Sequence, residues 1–124
     1  MTKFKFFIGG YFGTNVEVKL EKEDLLFYIS DRSFDFRSED PTHIISIKDN
    51  LDWQKLVKFL ATLEWEKHYR DEGILDGNHW EISFRTKESK LKSSGSNEYP
   101  IEFKKFIRLL NAITRKHYTP FEVY

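Results

Sequence analysis

The chain has 124 residues, the size of one domain, and its 20 Lys plus Arg balance its 20 Asp plus Glu to a formal net charge of zero. That balance excludes a surface tuned throughout for nucleic acid or for an anionic membrane. Aromatic residues make up 17% of the chain, enough to build a core and to argue against disorder despite 32% charged residues. The absence of cysteine removes disulfides, thiolate metal sites and a Cys nucleophile.

Residues 3–12 read as a strand in which Lys3 and Lys5 alternate with Phe4 and Phe6. Gly9 and Gly10 inside it suggest a bulge or a close backbone approach. The opening apolar run stops at these glycines, with no small-residue cleavage site after it, so it is not read as a signal peptide. No stretch approaches the roughly 18 apolar residues that cross a bilayer. The expectation is a cytoplasmic protein with no membrane partner. After a turn at Gly13-Thr14-Asn15, Val16, Val18 and Leu20 alternate with Glu17, Lys19 and Glu21 as a half-buried strand. A turn over 21–24 leads to a third strand over 25–29, completing an antiparallel meander. Phe34 and Phe36 permit a short edge strand within 33–41, and Ile44, Ile45 and Ile47 mark another strand.

A helix over 50–64 follows, with Asp49 as its expected cap and Asp52 near its positive end. Trp53, Leu56, Val57, Leu60 and Leu63 form its apolar stripe. Residues 65–73 extend it or form an irregular, aromatic-rich connection. Asp76-Gly77 starts a tight turn. Trp80, Ile82 and Phe84 alternate with His79, Glu81, Ser83 and Arg85, and 91–94 return the chain as a hairpin. Pro100 opens a last helix at its first turn, where its missing N–H costs nothing. Phe103, Phe106, Ile107, Leu110 and Ile113 line that helix, which ends near Lys116. The aromatic tail beyond it is expected to pack on the body. The order strands, helix, hairpin, helix predicts a single α+β domain over 1–124: a mainly antiparallel sheet with two amphipathic helices on one face.

No two of His43, His68, His79 and His117 stand at i, i+3 or i+4, so no metal is expected, and nothing calls for a cofactor. Gly9, Gly10 and Gly13 lead from strand to turn rather than into a helix, which disfavours a phosphate cradle. The run over 93–100 lies between a strand and a helix N-terminus. Its hydroxyls and Gly95 could present N–H groups to an anion; the simpler reading is that Asn97 satisfies free donors while Gly95 takes a positive φ. Asp76, Ser94, Asn97 and Tyr99 are the candidate ligand-binding residues, and a Ser94, His79, Asp76 triad is disfavoured because nothing shows that they meet. No residue is singled out as catalytic. Lys104, Lys105, Arg108 and Arg115 form a basic face on the last helix. They are the one nucleic-acid candidate, outweighed by a simple solvated face.

Leu63, Trp65 and Tyr69, then Asp76-Gly77-x-x-Trp80, then Ser94-Gly95-Ser96-Asn97-x-Tyr99-Pro100 before an amphipathic helix, resemble a family of small bacterial α+β proteins of unknown function. The resemblance covers about residues 60–110. It implies a bacterial, cytoplasmic α+β domain and carries no activity. Two functions are therefore weighed. One is a non-catalytic interaction module, immunity- or antitoxin-like, holding a protein partner or a second copy of the chain. The other is a small enzyme or ligand-binding domain with a site near Asp76, Ser94 and Asn97.

Overall fold

The computed structural model describes residues 2–10, 15–30, 41–70, 78–96 and 98–114. Strands β1 (Lys3–Gly10), β2 (Asn15–Glu21) and β3 (Asp24–Ser30) form the meander that the alternation predicts. Strand β4 (His43–Ser46) adds to β3 and ends one residue short of Ile47. Helix α1 (Leu51–Ala61) then carries the chain to the far side of the sheet, where β5 (His68–Arg70) forms. The hairpin of β6 (Asn78–Arg85) and β7 (Lys90–Ser96) precedes helix α2 (Phe103–Thr114). Among the described residues, seven strands form one sheet in the order β4-β3-β2-β1-β6-β7-β5. All pairings are antiparallel except β5 with β7. The architecture is α+β.

Period-two alternation sorts the sheet into two faces. Phe4, Phe6 and Ile8 of β1, Val16 and Val18 of β2, Leu25 and Phe27 of β3, and Trp80, Ile82 and Phe84 of β6 are buried on one of them. The apolar stripes of both helices pack there. Trp53 meets Phe4 edge-on at 5.7 Å, and Phe106 meets Phe6 edge-on at 4.8 Å. From α2, Phe103, Phe106, Ile107, Leu110 and Ile113 are all buried, as their spacing predicts. The helices also touch each other, with Lys105 Nζ lying 5.3 Å from the centre of the Phe59 ring.

Several local expectations are corrected. The cap of α1 is Asn50, whose extended backbone lets its side chain accept from Trp53 N at 3.0 Å; Asp49 instead turns the chain at φ 55°. The helix ends at Ala61, and Leu63 packs on the core from beyond it. Gly9 and Gly10 cause no bulge, since β1 pairs with β6 residue for residue through Gly10. The close approach at Gly9 is made by the Asn15 side chain, which occupies the space a Cβ would need. Residues 65–70 do not continue the helix, and 71–73 lie outside the described residues. Trp65 turns into the core and β5 pairs in parallel with β7. β7 runs on through Gly95 and Ser96, residues expected in a loop, and Gly95 does not take a left-handed φ. α2 begins at Phe103 rather than Pro100. The turn before it is closed by Phe103 N donating to Pro100 O at 3.0 Å. The expected strand over 33–41 falls almost wholly outside the described residues, as do the Asp76-Gly77 turn, Asn97 and the aromatic tail.

Phe106 is fully buried between sheet and helices. Replacing it by Ala leaves a cavity that the surrounding rings fill only in part. The expected loss is about 3–5 kcal/mol in denaturant unfolding with an unchanged m-value; a loss below about 1 kcal/mol would overturn this packing.

Candidate functional site

The motif residues that the sequence singles out separate onto the two faces of the sheet. Trp80 and Gly95 are directly paired, and the indole of Trp80 lies over Gly95 on the helix side. A Cβ at Gly95 would collide with the Trp80 ring and stand 2.7 Å from the Glu98 carbonyl. Trp80 Nε1 donates to that same carbonyl at 3.0 Å, which draws the chain leaving β7 across the indole. Tyr99 then stacks on Trp80 at 6.4 Å and packs against Phe103 at 4.7 Å. Tyr69 and Trp65 close the other sides of Trp80 at 6.0 and 5.8 Å. Trp65 Nε1 donates to Glu102 Oε1 at 3.2 Å, just before α2. Tyr99 is therefore part of a structural aromatic cluster.

Ser94 lies on the opposite face, which none of the described elements covers, so the structure does not bring Ser94 and Tyr99 together. Asp76 and Asn97 lie outside the described residues. On the uncovered face, Phe7, Glu81, Ser94 and His68 stand in one row across β1, β6, β7 and β5. The neighbouring row carries Lys19, Lys5, Ser83 and Lys92, and the next carries Lys3, Arg85 and Lys90. A depression of about 530 Å3 opens over these strands, lined by Lys5, half-buried Phe7, Lys67, His68, Glu81, Lys92 and Ser94 among others.

The lining is polar, hydrogen-bonded and cationic. His68 Nδ1 and Ser94 Oγ share a hydrogen bond of 2.9 Å whose direction follows the imidazole tautomer. Ser94 N donates to Lys67 O at 2.9 Å, and Ser93 Oγ donates to Glu66 O at 2.5 Å. These bonds fasten the stretch before β5 to β7 and place Lys67 and His68 at the rim. A parallel row of contacts joins His79 Nδ1 to Ser96 Oγ at 3.2 Å and His79 Nε2 to Glu81 Oε1 at 3.4 Å. Lys5 pairs with Glu17 at 3.3 Å, across an exposed ammonium that water screens. Among the described residues, Lys3, Lys67, Arg85, Lys90 and Lys92 have no ion-pair partner.

Chemically the depression is suited to binding. The Ser94 hydroxyl touches an imidazole, the first element of an activated nucleophile. Among the described residues, however, no carboxylate orients His68. His79 is the imidazole that meets a carboxylate, yet it bonds Ser96 rather than Ser94. No group of three His, Asp or Glu among the described residues is placed to hold a metal ion. No helix among them is long and apolar enough to cross a membrane. On α2, Lys104 and Arg108 are exposed while Lys105 lies against Phe59, and Arg115 lies outside the described residues. The cations that sequence reasoning missed are those of the sheet. Each strand showed its charged half, but only the register brings Lys3, Lys5, Arg85, Lys90 and Lys92 onto one surface.

Gly95→Ala should cost roughly 1–3 kcal/mol, because the new methyl group has to displace a packed indole. The loss should come with a shift in tryptophan emission. A variant that melts and emits like the parent would show that Trp80 does not depend on this seat.

Comparison of the chain with protein-family models, with curated proteins and with solved structures finds no match.

Proposed function

We propose that this protein is a non-catalytic interaction module that holds a protein partner on the face of its sheet that none of the described elements covers. The carrying observation is the asymmetry of the sheet. Both helices pack on one face, while the other carries the depression around Phe7, His68 and Ser94. An antiparallel sheet can leave one face to water, and here that face is patterned with cations, hydroxyls and a half-buried ring. A cavity of this size suits one side chain or a short segment of a partner. The motif resemblance to small bacterial proteins belongs to the same proposal, with a bacterial and cytoplasmic setting and an immunity- or antitoxin-like role. A second reading, a small hydrolase, is favoured by the contact between Ser94 Oγ and His68 Nδ1 alone.

Photo-crosslinking side chains at Ser83 on the sheet face and at Lys104 on α2 test the reading in intact cells. Both positions are exposed, so both substitutions should leave the fold intact. Discrete adducts with a protein partner are expected from Ser83 and not from Lys104. Adducts confined to Lys104 would overturn the reading. A serine-directed fluorophosphonate should leave Ser94 unmodified; stoichiometric labelling at Ser94 would put the hydrolase reading ahead.

A further inference from the structure

We propose that the segment received by the uncovered face is acidic: an extended, Asp/Glu-rich stretch of a protein partner lying along β1, β6 and β7. This rests on reading that face as the binding surface and adds the chemistry of what it takes. The face concentrates charge that the chain as a whole does not have. Lys3 pairs with Arg85 and Arg85 with Lys90, making a cationic row across three strands. Lys5 and Lys92 stand one row away beside Ser83, and Lys67 completes the rim of the depression. Glu81 is the acidic group in the lining, and Glu17 pairs with Lys5. The protein's formal charge is nevertheless zero, so this band is a local field rather than a general excess of lysine.

The geometry suits an extended chain. Residues two apart on a strand are separated by about 6.6–6.8 Å, and same-side residues of an extended segment repeat at the same interval. Lys3 and Lys5 on β1, and Lys90 and Lys92 on β7, therefore match alternate carboxylates of such a segment. The depression between them accepts one carboxylate against Lys5, Lys92 and Lys67, with Ser94 Oγ and His68 as hydrogen-bonding groups at the same place. Nucleic acid is less well served. Phe7 at the depression and Tyr28 beside Lys19 are both half-buried, so among the described residues neither ring offers the cations a fully exposed platform for bases. Apart from Arg85, these cations are lysines, point charges without the planar fork that grips phosphate.

The test uses a labelled peptide of alternating Glu and Ser, about ten residues long to span the strands, and an oligothymidylate of the same length, both followed by fluorescence anisotropy. The peptide should bind at low salt and weaken markedly at roughly 300 mM salt. Lys5→Glu/Lys92→Glu should weaken it by about ten-fold or more, whereas Lys104→Glu/Arg108→Glu on α2 should change it less than about two-fold. Should the charge-reversed variant lose its cooperative melt, Lys5→Gln/Lys92→Gln takes its place, with a smaller loss in the same direction expected. Absence of peptide binding, equal sensitivity to the α2 substitutions, or tighter binding of the oligothymidylate at equal salt would each overturn the proposal. Failure of the underlying reading looks different. Adducts from Ser83 to a partner segment without acidic residues would leave the interaction module standing and remove the acidic occupant. Adducts confined to Lys104 would remove both.

Discussion

The seating of Trp80 on Gly95 is the contact on which the rest of this structure depends. Adjacent strands of a sheet approach closely enough for a large ring to lie across a neighbour only if that neighbour has no side chain, and Gly95 supplies that position. The indole then gathers four elements. Its own strand is β6, its seat is on β7, Tyr69 comes from β5, and Glu98 and Tyr99 lead into α2. Each ring contact adds modestly, but together with full burial they hold the two ends of the hairpin region in one arrangement. That arrangement also sets the candidate site on the reverse side. Fixing β5 beside β7 is what brings His68 to Ser94 and Lys67 to the rim of the depression.

The two faces of the sheet follow different chemistry because each strand alternates. On the helix side, rings and branched side chains interlock with the stripes of α1 and α2. On the other side β1, β6 and β7 present Lys, Arg, Ser, Glu and His beside Phe7, while β3 and β4 present Leu26, Tyr28 and Ile44. Along β1, β6 and β7 the charges are not evenly mixed. Antiparallel register places Lys3 beside Arg85 and Arg85 beside Lys90, a like-charge arrangement that costs stability unless water or an anion relieves it. The proposed acidic partner would relieve that repulsion. In the proposed interaction reading, the Ser94–His68 contact would supply hydrogen-bonding groups within the same lining.

Much of the fold was legible in the residue pattern. The meander followed from alternation in β1 and β2 and the short apolar run of β3, the hairpin from Trp80, Ile82 and Phe84, and both helices from apolar residues three and four apart. These signals are local, because a period of two or 3.6 is imposed by the backbone and survives any tertiary arrangement. Boundaries were less secure, again for local reasons. Asp49 and Asn50 are both capable caps, and only the backbone angles of the two residues select Asn50.

What the sequence by itself determined is the inventory: an α+β domain, a core rich in aromatic rings, two amphipathic helices, and strands with one apolar and one charged half. Tertiary structure alone decided how these halves meet. Gly95 read as a turn residue, yet it serves a neighbouring strand, because a missing side chain says nothing of which ring needs the space. The stretch 68–70 carries too few residues to show a period, so its parallel pairing with β7 became visible only with the edge it covers. The cationic surface is spread over residues 3–5, 67, 85 and 90–92. It exists only because strand order places β6 between β1 and β7 and because the register aligns their charged halves, and neither relation is encoded in any single stretch of the chain.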